Sequence, residues 1–315
     1  MGDVLHNMPI VADIVRHFPD AQIDWVVEEA FVDLVRLNPR VRKIIPFALR
    51  RWRKKLFSKA VRGEIAAFKK LLRAETYDVI LDTQGLTKTG IIMALAHGAA
   101  KVGLANGTEG SGYEAVSRIF HTLSVPVGIH THAVLRGRLV AARALGYSED
   151  LEQVAPDFGL IAPDPAGYDW LPDTRYAVFF HGTAGAAKKW PAHDWITLGK
   201  HLQQRGYPAL LAWGNSHEHL EAEQLAAHIP GATVLPKLSM MEAITLAQRA
   251  ALAVGVDTGL THIAAAYGTP TVEIYSASPR WKTEGNWSDS IINLGDQGSP
   301  PDVAQVIAAA DQLIQ

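Results

Sequence analysis

The sequence predicts an α/β fold made of two Rossmann-like lobes, each a parallel sheet flanked by helices, facing one another across a cleft. Three observations carry this expectation. Short apolar runs alternate with stretches of helical periodicity along the whole chain, the pattern of repeated strand–helix units. At 315 residues the chain exceeds one ordinary domain and fits two of about 150. Residues 148–172 carry several Pro, Asp and Gly without long periodicity and so mark a linker, placing a first lobe at 1–155 and a second at 156–315. Lobes of this kind bind ligands at the carboxyl ends of their strands.

Taken in order, the chain opens on Met1-Gly2-Asp3-Val4-Leu5-His6, a glycine loop entering a helix with no strand before it. In a doubly wound sheet such a loop follows the first, central strand, so a strand within about ten residues upstream of Met1 is expected. Apolar positions at helical spacing predict helices over 8–18, 65–74 and 87–97, and apolar runs predict strands at 22–27, 41–46, 77–81 and 100–103. A loop-rich stretch at 106–112 precedes a helix over 132–145 that Gly146 closes as a C-cap. Beyond the linker, strands are expected at 176–180, 208–212, 232–235, 252–256 and 271–275, each followed by helix or loop, with a helix at 261–266.

Composition removes several function classes. The chain is 48% hydrophobic and 20% charged, which excludes a disordered or collagen-like protein. With 30 Lys and Arg against 32 Asp and Glu, no global basic field points to nucleic acid, so any polyanion must meet a local patch. The absence of Cys excludes disulfides, thiolate metal sites and cysteine nucleophiles, and fits a reducing cytoplasm. No apolar run approaches the roughly 18 residues of a membrane span and no signal-peptide pattern opens the chain, so a cytoplasmic location is expected.

The strongest local signal is Asp257-Thr258-Gly259-Leu260-Thr261-His262, between an apolar strand and a helix. A helix N-terminus presents unpaired N–H groups and the positive end of the dipole, which suits a diphosphate. Gly259 lets a phosphate approach the backbone, Thr258 can donate its hydroxyl, and His262 lies one turn into the helix. The competing reading is a capped helix, with Asp257 or Thr258 as N-cap and His262 a satisfied surface residue. A second cluster runs from His181 through Thr183 and Ala184 to Lys188-Lys189-Trp190-Pro191: small residues and then a cation that can close on phosphate, or two solvated lysines. The Gly-Lys-Ser/Thr order of a Walker loop is lacking there. Third, Glu218 follows Trp213-Gly214-Asn215 after a strand and can accept both hydroxyls of a ribose, unless it only complements the first helical turn.

In the first half, Arg50-Arg51-Trp52-Arg53-Lys54-Lys55 gathers five cations around one Trp, fitting an acidic ligand or an anionic membrane surface, or else a solvated helix face. Gln84 lies in Asp82-Thr83-Gln84-Gly85-Leu86-Thr87 at another strand's carboxyl end, where Asp82 or Thr87 could equally cap a helix. His132, Arg136 and Arg138 offer cationic reach or a solvated face. Asp3 is a candidate general base or an N-cap.

In this order the motifs Gly2-Asp3-Val4-Leu5-His6, Asp24-Trp25-Val26-Val27-Glu28-Glu29, Arg50-Arg51-Trp52-Arg53-Lys54, Asp82-Thr83-Gln84-Gly85-Leu86, Lys188-Lys189-Trp190-Pro191, Trp213-Gly214 and Asp257 to His262 resemble those of the lipopolysaccharide heptosyltransferases, two-lobed glycosyltransferases of the GT-B type, over nearly the whole chain. The Asp24 and Arg50 stretches favour the type I branch over type II. The resemblance implies an inverting transfer of L-glycero-D-manno-heptose from ADP-heptose to a hydroxyl of the Kdo sugar of Kdo2-lipid A, on the cytoplasmic face of the inner membrane. It implies Asp3 as base, and Lys188, Thr183 and the amides of Thr258, Gly259 and Leu260 on the diphosphate. It further implies Glu218 on the ribose, Asp257 on heptose hydroxyls, Met241 or Met240 at the adenine, and Arg50, Arg51, Arg53, Lys54 and Gln84 on the acceptor. No cofactor is implied, and a divalent ion is not indicated. The family normally begins with a strand and a Thr-Ser or Ser-Ser pair before the Gly-Asp, and carries a Thr where Ala184 stands, implying one phosphate contact fewer. The alternatives are a type II heptosyltransferase, a nucleotide-sugar epimerase of similar architecture, which would not need the basic patch, or a partner protein that binds the nucleotide sugar without turning it over.

Overall fold

The computed structural model describes residues 1–55, 57–165, 167–183 and 185–315. They form two compact units, one from Asp3 to Gly159 and one from Leu160 to Gln315.

In the first unit a short helix α1 (Gly2–His6) leads into α2 (Pro9–His17), which begins on Pro9, a residue tolerated in a first turn because its missing N–H has no intrahelical partner there. Strand β1 (Ile23–Glu28), the short helix α3 (Val32–Arg36) and strand β2 (Val41–Phe47) make a two-stranded parallel sheet. A single turn of helix, α4 (Leu49–Trp52), then precedes α5 (Lys59–Leu72). The longer helix starts well before its apolar periodicity does, because the Ser58 hydroxyl accepts from the Val61 N–H and caps it. Its buried face, Val61, Phe68 and Leu72, packs on Ile45, Phe47 and Trp52. Strand β3 (Thr76–Asp82), helix α6 (Thr87–Leu95) and strands β4 (His97–Leu104) and β5 (Leu123–Val125) follow, the strands forming a second parallel sheet in the order β3-β4-β5.

Helix α7 (Ala133–Leu145) ends where Gly146 turns left-handed at φ +74°, as its sequence position predicts. Among the described residues β1 pairs only with β2 and β3 only with β4, so this unit holds two parallel sheets. The Tyr77 hydroxyl on β3 donates to Asp24 on β1 at 2.8 Å and ties them together. Arg138 is not a surface cation. Its guanidinium is buried, forks onto Asp13 of α2 at 2.7 and 3.0 Å, and donates to the carbonyls of Leu151 and Val154.

The second unit is one six-stranded, wholly parallel sheet. Strand β6 (Ala177–Phe180), helix α8 (Ala192–Gln204), strand β7 (Ala209–Leu211), helix α9 (Ser216–Ala226), strand β8 (Thr233–Val234) and helix α10 (Met240–Arg249) build outward on one side. The chain then returns beside β6 with strand β9 (Leu252–Val256), helix α11 (Gly259–Ala266), strand β10 (Thr271–Tyr275), strand β11 (Ile291–Gly295) and helix α12 (Val303–Leu313). The resulting order is β11-β10-β9-β6-β7-β8, so the topological switch point lies between β6 and β9. Every residue of β6, β9 and β10 is buried, as expected of parallel strands covered on both faces. Phe179, Trp195, Leu198, Leu202 and Val254 form the core below them.

Candidate active site

The loops that the sequence singles out in the second unit all leave the carboxyl ends of its strands. Residues after β6 run from His181 to a short turn at Ala186–Lys188, those after β7 lead to α9, and those after β9 start α11. Two glycines allow this closeness. A Cβ on Gly182 would lie 2.7 Å from the Glu218 carboxyl carbon, so the first two loops touch through that side chain. A Cβ on Gly255, inside β9, would lie 2.1 Å from Thr261 Oγ1. The Glu218 carboxylate also accepts from the Gly214 N–H at 2.7 Å, while Asn215 caps α9 by accepting from the N–H groups of His217 and Glu218. His181 packs under the same loop with Nε2 at 3.2 Å from the Glu218 carbonyl, and burial lowers its pKa, keeping the ring neutral.

At the switch point Lys188 and Asp257, 69 residues apart in sequence, meet with Nζ 2.5 Å from Oδ2. The solvated-lysine reading therefore fails for Lys188. It fails for Lys189 as well, which pairs with Glu221. Ser278 also donates to Asp257 Oδ2, at 2.5 Å, and His262 Nε2 lies 3.1 Å from Oδ1. Burial is the largest single influence on Asp257 and favours its neutral form, yet His262, Lys188 and Ser278 together hold it well below the usual carboxylate range. His262 is buried rather than at the surface, and its other ring nitrogen, Nδ1, lies 2.9 Å from Glu273 Oε1. Both ring nitrogens are thus engaged by carboxylates. Thr258 takes the N-cap position of α11 in extended conformation, without a side-chain cap bond. Gly259 and Leu260 are the first two residues of that helix, half-buried, with their N–H groups at its positive end. Met240 and Met241 open α10, both half-buried, and α10 packs beside α11. Thr183 is half-buried in the loop after β6, and Ala184 lies outside the described residues.

Glu273, Ser278 and Thr283, the last 3.5 Å from Asp257, are members of this cluster that sequence reasoning did not name. For Glu273 the signal was present: an acid in the middle of the otherwise apolar strand Thr271–Tyr275.

The first unit holds the other candidates. Asp3 lies in the first turn of α1 with an exposed side chain; its carbonyl accepts from the Asn7 amide at 2.6 Å. Arg136 on α7 lies within the electrostatic reach of Asp3 and donates to Thr108 Oγ1 at 3.1 Å, though burial is the dominant influence on it and lowers its pKa. The basic run divides. Arg51 forks onto Glu29 at 3.0 and 3.1 Å and reaches Glu64 at 2.8 Å, and the buried Trp52 indole donates to Glu64 at 2.7 Å. The Arg50 guanidinium lies 6.0 Å from the Phe31 ring centroid, and Arg53 and Lys54 are exposed. Asp82 caps the loop after β3, accepting from the N–H groups of Gln84 and Gly85 and from Thr89 Oγ1, so Gln84 is held by its backbone.

Four likenesses to known proteins bear on this site. The family model for glycosyltransferase family 9 (heptosyltransferase) matches residues 65–307. Lipopolysaccharide heptosyltransferase 1 of Pseudomonas aeruginosa PAO1 is 37% identical over 295 residues, covering 94% of this chain and 81% of that protein. The Escherichia coli K12 protein of the same name is 37% identical over 280 residues, covering 87% and 84%. Among solved structures, the E. coli heptosyltransferase WaaC with ADP has a TM-score of 0.84 at 33% identity and is matched over 100% of this chain and 96% of its own. The α/β fold with parallel sheets is that of the heptosyltransferase structures, and the chain belongs to glycosyltransferase family 9, the heptosyltransferases.

Proposed function

We propose that this glycosyltransferase is a type I lipopolysaccharide heptosyltransferase, which moves L-glycero-D-manno-heptose from ADP-heptose to a Kdo hydroxyl of Kdo2-lipid A during inner-core assembly, at the cytoplasmic face of the inner membrane. The observation that carries the reading is the Lys188–Asp257 pair beside the N-terminus of α11, at the switch point of a buried parallel sheet. In this reading Lys188, Thr183 and the first amides of α11 take the diphosphate, Glu218 the ribose, Met241 the adenine and Asp257 the heptose hydroxyls. Arg50, Arg53, Lys54 and Gln84 serve the acceptor, while Arg51, already paired twice, holds the patch in shape.

The reaction is a single displacement. Asp3 takes the proton of the Kdo hydroxyl, the oxygen attacks the anomeric carbon, and the bond to the diphosphate breaks with its electron pair leaving on ADP. One displacement inverts the anomeric centre. Charge grows on the leaving diphosphate, and preorganised donors there lower the barrier.

The test is release of ADP from ADP-heptose on addition of Kdo2-lipid A. The wild-type chain is expected to release it, and Asp3→Asn to lose about 10²-fold or more of that rate while ADP binding is kept. Turnover that ignores Kdo2-lipid A would sink the acceptor, and loss of ADP binding in Asp3→Asn would sink the base.

A further inference from the structure

Glu273 belongs to none of the roles assigned above, yet a fully buried acid needs a partner. It sits in the middle of β10. Its Oε2 accepts from the Tyr275 hydroxyl and from the Gly285 N–H, both at 2.9 Å. Its Oε1 faces His262 Nδ1 at 2.9 Å. On the far side of the ring, Nε2 faces Asp257 Oδ1 at 3.1 Å, and Asp257 Oδ2 receives Lys188 and Ser278. Each of these other neighbours of the two carboxyl groups is a donor, and a carboxylate can only accept. An imidazole lying between two acceptors satisfies both only when both of its nitrogens carry a proton.

We propose that Glu273 is a positioning residue that keeps His262 an imidazolium, whose Nε2–H in turn fixes the Asp257 carboxylate in the orientation and charge the donor site uses. The cluster then balances: two carboxylates, Asp257 and Glu273, against two cations, His262 and Lys188. When a diphosphate draws Lys188 away, His262 remains on Asp257 and prevents an unpaired buried carboxylate. Asp257 from the end of β9 and Glu273 from β10 face the ring; behind them the neutral Tyr275 hydroxyl of β10 donates to Glu273, and Lys188 from the loop after β6 pairs with Asp257. Burial of the ring disfavours its charge, but Glu273 and then Asp257 outweigh it and push the His262 pKa up to about 10.

The ionisation of His262 stands independently of the reaction; its consequence for the donor rests on the heptosyltransferase reading. Nitrogen-15 NMR of the free protein, with the His262 signals assigned by their loss in His262→Gln, is expected to show both ring nitrogens protonated from pH 6 to pH 9. A neutral tautomer at pH 7 would overturn the proposal even if Glu273 variants fail to fold. In the near-isosteric Glu273→Gln the ring is expected to titrate in the ordinary histidine range. Its ADP affinity should then be about tenfold weaker than wild type at pH 8 and recover at pH 6, whereas wild type stays flat. Equal weakness at both pH values means a purely structural role, and unchanged affinity at pH 8 means none; either result refutes positioning through charge. Absence of Kdo2-lipid A-dependent turnover in wild type would instead remove the reaction and leave the NMR result intact.

Discussion

Lys188 rests on Asp257, and under the proposed function a diphosphate at the start of α11 would compete with that carboxylate for the ammonium. Lys188→Ala is therefore expected to weaken ADP binding by roughly 10- to 100-fold, the range of a charge-assisted contact, read by calorimetry. Unchanged affinity would take Lys188 out of the donor site. The two close-approach glycines separate binding from stability. Gly182→Ala meets only the movable end of Glu218, so ADP affinity should fall a fewfold, about threefold to tenfold, with the melting temperature kept. Gly255→Ala meets Thr261 Oγ1 and the Phe180 Cβ inside the sheet, so it should lose about 1–3 kcal/mol of stability in a denaturant titration. At this scale the sequence was informative where polar residues cluster beside a strand end, as at Asp257 and Lys188. It marked Glu273 only as an acid inside a strand and did not mark Ser278 at all, because only folding brings residues from separate segments onto one carboxylate and one ring.

Elements were legible in proportion to how completely the sheet buries them. Strands β9 and β10 have the bounds that their apolar runs predict, since both faces are covered and no alternation blurs the ends. Strands β7 and β8 are shorter than expected, and β11 and α12 were not anticipated, although Asp302 and Gln305 form a capping box at the start of α12. The basic element at α4 is one patch in sequence, and in the structure all its cations are exposed but, among the described residues, only Arg51 is ion-paired within it, to Glu29 and Glu64. Arg51→Glu sets a third acid beside Glu29 and Glu64 in an exposed network, so it is expected to lower the melting temperature only slightly, and less at high salt. Arg53→Glu with Lys54→Glu should leave the melt unchanged and raise the KM for Kdo2-lipid A on the order of tenfold at low salt, an effect that added salt erases. A double variant with normal acceptor kinetics would move the acceptor site away from α4.

For the whole molecule the buried charge cluster makes stability depend on pH. The pKa of His262 is raised on folding, from 6.5 to about 10, so its contribution is complete below pH 6.5 and is lost as the pH climbs towards 10. Tyr275 stays neutral across that window because burial, and then Glu273, push its own pKa well above 10. Thermal melts of wild type are expected to fall from pH 6.5 to pH 10 more steeply than those of His262→Gln; parallel slopes would mean that His262 carries no extra proton. By itself the sequence determined the α/β class, the parallel sheets and the strand ends where chemistry gathers, because these follow from local periodicity and from which residue types a helix start or a tight turn accepts. Only the tertiary structure decided that Lys188 lands on Asp257, that Arg138 is buried on Asp13 while Arg51 pairs with Glu64, and that an acid in the centre of β10 sets the charge of His262. Those are meetings between distant segments, and their energies depend on burial and on what else is within hydrogen-bond reach, neither of which is written in local pattern.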